Sequence, residues 1–234
     1  MNKNLKPALI VLGGLAILAI AGVVSYSLAS DPLPPKAAEG GILVACVGDS
    51  ITFGSGVKDK EQDAYPAQLR ALLGEEYQVL NCGVSGRTAL SSGDRPYVNT
   101  RRYRHSMQAA PDIVLIMLGT NDSKPYNWNA IAYEADLARL AEGYMALPNE
   151  PEVYLLQPPA CFENKFEINP AIVRDEVCPL VRSVAAQTGA RVIDIHSATA
   201  ARPELFPDGV HPDEAGCGVI AQEIYKALTS TQIH

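Results

Sequence analysis

The sequence predicts an α/β protein: an open, doubly wound sheet of five parallel strands, three layers deep, with helices on both faces. Three observations carry this. Five short apolar runs recur at near-regular intervals: Ile42–Val47, Gln78–Cys82, Ile113–Leu118, Val153–Gln157 and Arg191–Ile195. The first and third are apolar almost throughout, as strands covered on both faces are. Helical patterns fill the intervals, and alternation of strand and helix with crossovers of this length selects a parallel sheet.

The chain has 234 residues, 47% hydrophobic and 19% charged, which fits a globular domain rather than a disordered chain. Its start is different. Lys3 and Lys6 precede an uncharged, mostly apolar run, Ala8–Val24, and then "SYSLAS". Ser27-Leu28-Ala29 has the small-x-small form of a signal peptidase site. Residues 1–29 are therefore expected to be a cleaved signal peptide or an uncleaved membrane anchor. Both place the rest of the chain outside the cytoplasm, periplasmic or extracellular, with the positive charges left inside. Residues 30–41, rich in Pro and Gly, read as a linker, and 42–234 as one domain. The formal charge of −7 disfavours nucleic acid as a partner. A membrane is expected to be met only through the N-terminal segment.

Within the domain, Tyr65–Leu73 places Leu69, Leu72 and Leu73 on one side of a helix. Trp128–Leu147 repeats apolar residues at Ile131, Leu137, Leu140 and Tyr144. Asn169-Pro170 is a cap with a first-turn proline, opening a helix towards Gln187 before Gly189. A last helix follows His211-Pro212 and runs to about Leu228. Of five cysteines, Cys46 and Cys82 fall in strands as core residues, and Cys161 and Cys178 flank a loop-rich stretch where a disulfide is conceivable.

In doubly wound sheets the ligand site lies beyond the carboxyl ends of the strands. The residues there are Gly48-Asp49-Ser50, Gly83-Val84-Ser85-Gly86, Gly119-Thr120-Asn121-Asp122, Pro158-Pro159 and His196. The first turn, "GDSITFGSG", lacks the lysine and spacing of a phosphate loop, the third glycine of a dinucleotide turn and the second glycine of G-x-S-x-G. What remains is a serine at a strand end, and a serine hydroxyl needs a base. Of the histidines, His234 is terminal, His105 lies in the basic run "RRYRHS" and His196 closes the fifth strand. His211 sits in the turn "DGVHP" with Asp208 three residues earlier, where one turn can aim a carboxylate at the imidazole. A metal cluster of Asp208, His211, Asp213 and Glu214 is the alternative, but it lacks a second His or a Cys at suitable spacing. Oxyanion donors are available in the Ser50 N–H, the Gly86 N–H and the Asn121 side-chain amide.

Four short blocks in order, "GDSI", "NCGVSGRT", "LGTND" and "DGVHP", resemble those of the SGNH, or GDSL, hydrolases over about residues 42–228. Ile51 stands where members of that family often have Leu. The resemblance implies a flavodoxin-like sheet of order 2-1-3-4-5 and a serine esterase. It implies Ser50 as nucleophile, His211 as base and Asp208 as its orienter. It also implies Ser50, Gly86 rather than Gly83, and Asn121 as oxyanion donors. Such a mechanism requires no metal and no organic cofactor.

The longer stretches "GDSITFGSGVKDKEQDAYPAQL" and "LGTNDSKPYNWN" are similar to the carbohydrate-esterase side of the family, near sialate O-acetylesterase-like proteins. That implies removal of acetyl groups from a glycan. A lysophospholipase or thioesterase of the same family is one alternative, and a catalytically inactive glycan-binding module is another. Tyr126 and Trp128 either stack on a sugar or pack the following helix. Arg87, with Arg101, Arg102 and Arg104, either rims the site for an acidic glycan or forms a solvated face.

Overall fold

The computed structural model describes residues 41–230. The leader or anchor expected over residues 1–29, the linker before Gly41, and His234 lie outside the described residues. Among the described residues, no helix is long and apolar enough to cross a membrane.

Five parallel strands form one sheet: β1 Ile42–Gly48, β2 Tyr77–Gly83, β3 Ile113–Met117, β4 Glu152–Gln157 and β5 Arg191–Asp194. Their order is β2-β1-β3-β4-β5. The single turn Ser50–Phe53 after β1 is α1, and the helices that cover the sheet are α2 Tyr65–Leu73, α3 Arg101–Gln108, α4 Ala130–Met145, α5 Cys178–Thr188 and α6 Glu214–Ser230. The alternating faces of the central strands explain their unbroken apolarity. Leu43 and Val47 of β1, with Val114 and Ile116 of β3, face Tyr97, Leu137, Tyr144 and Val181 on the side of α3, α4 and α5. Val44, Cys46, Leu115 and Met117 face Tyr65, Leu69, Ile220 and Ile224 of α2 and α6. Truncating one such side chain, Leu69→Ala for example, costs about 2–5 kcal/mol.

Where element ends differ from expectation, a side-chain cap accounts for it. Asp194 ends β5 one residue early because its carboxylate accepts the Ser197 N–H and turns the chain into Ile195–Thr199. Asn129 delays α4 to Ala130 by accepting the Ala132 N–H. Asp213 delays α6 to Glu214 by accepting the Gly216 N–H. The helix opened by Asn169-Pro170 is interrupted by a π-turn at Val173–Val177 before α5 begins. Pro179 has no N–H to give to the carbonyl of Asp175, so the regular ladder fails just there. Cys161 and Cys178 are both buried free thiols, not a disulfide. The Cys161 Sγ–H points to the Pro159 carbonyl at 3.7 Å.

The register sets the site. Gly48, the last residue of β1, lies between Gly83 of β2 and Met117 of β3. The segments that follow these three strands therefore emerge side by side on one rim.

Candidate active site

Ser50 leaves β1 at the first position of the one-turn helix α1. Gly48 makes this turn fit: a Cβ there would lie 2.1 Å from Thr52 Oγ1. Asp49 caps the turn, its Oδ1 accepting the Ile51 N–H at 2.9 Å. His211 comes from the loop before α6. Its Nε2 lies 2.9 Å from Ser50 Oγ and its Nδ1 2.8 Å from Asp208 Oδ2. The second oxygen of Asp208 accepts the N–H groups of Val210 and His211 at 3.0 and 2.8 Å. Burial pushes the Asp208 carboxyl up, but the His211 N–H, the imidazole and the Val210 N–H outweigh it and hold it below its ordinary value.

Gly86 and Asn121 line the same pocket as Ser50 and His211. Gly86 has φ +74°, in the left-handed region that glycine adopts without strain. Gly83 is placed elsewhere, at the end of β2 against the backbone of α1, where a Cβ would meet Phe53 N at 2.3 Å. The Asn121 Nδ2 donates one hydrogen to Asp49 Oδ2 at 3.0 Å, which orients the amide and leaves its other hydrogen for a ligand.

The pocket is small, about 210 Å³. Phe166, Ile168 and Val210 form its apolar wall. The Phe166 ring stands edge-on to the His211 imidazole, 5.2 Å between centroids. That wall exists because the loop after β4 packs on the loop carrying His211. The Phe162 N–H donates to the Gly209 carbonyl at 2.7 Å, and Gly209, at φ +81°, has no room for a Cβ beside Glu163 O at 2.1 Å. Among the described residues, Lys124 is the one lysine or arginine lining the pocket. Ser55 and Ser85, their hydroxyls 3.1 Å apart, complete the lining.

Two further carboxylates lie behind this surface. Burial raises Asp49 to about 6, against the Ile51 N–H, the His211 charge and the Asn121 amide, which pull it down. Burial raises Asp122 to about 7, against the Leu90 and Ala89 N–H groups and with the charge of Asp49 adding to the rise.

Trp128, Tyr126 and Arg87 do not line the pocket. The Trp128 Nε1–H donates to Glu176 Oε2 at 2.8 Å and its ring packs 5.4 Å from Tyr133, so it joins α4 to the π-turn before α5. Tyr126 is 58% exposed, beneath the Lys124 ammonium at 5.9 Å. Arg102 is buried and gives its Nη1 hydrogen to the Asn81 carbonyl, which separates it from a solvated basic rim. His105 lies in α3 and His196 in the turn after β5, and neither lines the pocket. Asp213 caps α6 through the Gly216 N–H, and among the described residues no group of three His, Cys, Asp or Glu side chains is placed to hold a metal ion.

Residues 46–219 match the GDSL-like lipase/acylhydrolase family. The chain is 37% identical over 213 residues to an acetylxylan esterase of Xylanibacter ruminicola, an alignment that takes in 83% of this chain and 44% of that protein. The chain thus spans less than half the length of that relative. Among solved structures, an aryl esterase of M. smegmatis superposes with a TM-score of 0.66 at 19% identity, over 81% of this chain and 99% of the other. Est24, a carbohydrate acetylesterase from Sinorhizobium meliloti, does so with a TM-score of 0.65 at 19% identity, over the same shares. At that identity the likeness is one of fold.

Proposed function

We propose that this chain, which belongs to the GDSL-like lipase/acylhydrolase family, is a carboxylic ester hydrolase that removes O-acetyl groups from a carbohydrate outside the cytoplasm through Ser50, His211 and Asp208. The observation that carries the proposal is the unbroken line of hydrogen bonds from Ser50 Oγ through His211 to Asp208, opening on a pocket of about 210 Å³. That volume lies below the usual range for drug-sized ligands, roughly 300–1,000 Å³, and suits a short acyl group.

His211 Nε2 takes the Ser50 proton as Oγ attacks the ester carbonyl. Asp208 holds Nδ1–H, fixes the tautomer and stabilises the imidazolium. The negative oxygen of the tetrahedral intermediate is received by the Ser50 N–H, the Gly86 N–H and the Asn121 amide. The intermediate collapses, His211 protonates the departing alcohol, and an acetyl group remains on Ser50. Water, giving its proton to the same imidazole, then releases acetate and restores the serine. The carbohydrate acceptor rests on the acetylxylan esterase relative. The extracytoplasmic setting rests on Lys3, Lys6 and the apolar run after them.

The test is acetate release by the full-length protein from acetylated xylan, beside hydrolysis of p-nitrophenyl acetate, butyrate and decanoate. Acetate release and a preference for the acetyl ester over the longer chains are expected, both lost in Ser50→Ala. Equal rates for wild type and Ser50→Ala would reject Ser50 as nucleophile, and a preference for decanoate would favour a lipase or lysophospholipase.

A further inference from the structure

The three oxyanion donors arise on three separate strand ends, yet they act only in one fixed geometry. Two buried carboxylates tie them together. Asp49 precedes Ser50 in the chain, and its Oδ2 accepts the Asn121 amide at 3.0 Å. Asp122 follows Asn121, and its two oxygens accept the N–H groups of Ala89 and Leu90 at 3.1 and 2.8 Å, just beyond Gly86. Each carboxylate is thus the chain neighbour of one donor and is hydrogen-bonded to the segment that carries the next. Asn127 closes the far end of the Gly86 loop. It donates to the Asn121 carbonyl at 3.0 Å and exchanges two bonds with Asp94, at 2.8 and 2.9 Å.

Neither Asp49 nor Asp122 has a salt-bridge partner among the described residues, although both are buried. Burying a carboxylate without a cation is unfavourable, and a site kept only for packing would do better with an apolar side chain. What a carboxylate offers here is two acceptor oxygens set side by side, where an amide offers one acceptor and a donor.

Building on the ester-hydrolase mechanism above, we propose that Asp122 is a positioning residue for the reaction: by gripping Ala89 and Leu90 it fixes the separation between the Gly86 N–H and the Asn121 amide. Its carboxylate bonds to the Gly86 loop rather than to Ser50, and it does not line the pocket. Replacing it by Asn turns one of its two acceptors into a donor facing a backbone N–H, and so frees one side of the loop.

The experiment compares full-length wild type, Asp122→Asn and the control Asp136→Asn. Asp136 also grips this loop, accepting the Ser91 N–H at 2.7 Å, but further along the chain from Gly86. The readouts are kcat and KM for p-nitrophenyl acetate, and inhibition by phenylboronic acid, which adds to a serine hydroxyl as a negative tetrahedral adduct. Asp122→Asn is expected to lower kcat about 10–100-fold, to leave KM within about twofold and to weaken the boronic acid by a factor like that of kcat. Asp136→Asn is expected to leave all three within about threefold.

A folded Asp122→Asn with wild-type kcat would overturn the proposal. So would a loss of kcat with unchanged boronic acid affinity, or an equal loss in both variants. If Asp122→Asn does not fold, amide hydrogen exchange of the wild type decides. Protection of Ala89 and Leu90 equal to that of β1 supports the proposal, and exchange as fast as in an open loop overturns it. A wild type inert towards all the esters would instead overturn the hydrolase mechanism, and the role of Asp122 with it.

Discussion

Ser50 Oγ and His211 Nε2 stand 2.9 Å apart although 161 positions separate them in the chain. The two loops meet again six residues past Ser50. Gly56 lies so close to the loop of His211 that a Cβ would fall 2.1 Å from the Pro212 carbonyl oxygen and 3.1 Å from His211 Cβ. Backbone cannot yield as a flexible side-chain end can, so Gly56→Ala has to shift its own loop or the loop of His211, and either changes how Ser50 and His211 meet. A loss in kcat of about 10²-fold is expected, the scale of a 1 Å misplacement. Steady-state kinetics on p-nitrophenyl acetate, with circular dichroism to show a folded protein, checks it. A fully active Gly56→Ala would mean that the imidazole reaches Ser50 from a looser range of positions.

Asp208→Asn has a specific failure built into its hydrogen bonds. One oxygen of Asp208 accepts two backbone N–H groups, so the carbonyl of an Asn is held there and its NH₂ faces His211 Nδ1. The imidazole then carries its hydrogen on Nε2 and cannot take the Ser50 proton. A fall in kcat of roughly 10²–10⁴-fold is expected, with KM little changed. Wild-type kcat in this variant would remove Asp208 from the mechanism.

Asn121→Ala removes one oxyanion donor and breaks the bond to Asp49. Turnover is expected to drop about 10²–10³-fold, with the substrate KM close to that of the wild type. A change confined to KM would place Asn121 in ground-state binding instead.

Stability should depend on pH through the buried carboxylates. Asp49 and Asp122 are raised to about 6 and about 7, mainly by burial, opposed by the N–H and amide donors that face them and, for Asp49, by the charge of His211. In the unfolded chain an aspartate titrates near about 3.9. Between these values the folded state binds more protons than the unfolded one, so stability falls as pH rises from about 4 to about 7 and levels off above. Asp208 acts in the opposite sense: its lowered value adds stability that is present above the unfolded pKa and lost as pH falls through the folded one. Urea midpoints at pH 5 and pH 8 check the balance. The higher midpoint is expected at pH 5, with a smaller difference in Asp122→Asn. Equal midpoints in the wild type would contradict it.

Most of the architecture was legible because it rests on local pattern. The continuous apolarity of Ile42–Val47 and Ile113–Leu118 reports burial on both faces, and the two core clusters account for it. That Ser50, Gly86 and Asn121 would line one pocket was legible for a related reason, since parallel strands end on a common rim. The pocket wall was not. Phe166 and Ile168 belong to a loop whose place depends on the close approach of Glu163 to Gly209, a contact no periodicity announces. Trp128 was ambiguous because its partner, Glu176, lies 48 residues away. Asp49 and Asp122 stood in plain view in "GDSI" and "LGTND". Their bonds to Asn121 and to the Gly86 loop depend on which loops meet, and only the folded chain brings those together.

The most direct measurement is covalent. The protein is treated with diethyl p-nitrophenyl phosphate, which transfers a diethylphosphoryl group to an activated serine and releases p-nitrophenol, and the adduct is mapped by peptide mass spectrometry. One equivalent of p-nitrophenol and a single adduct on the peptide holding Ser50 are expected, with labelling abolished in His211→Ala. An active protein that takes no label, or takes it at another residue, would contradict a nucleophilic Ser50 activated by His211.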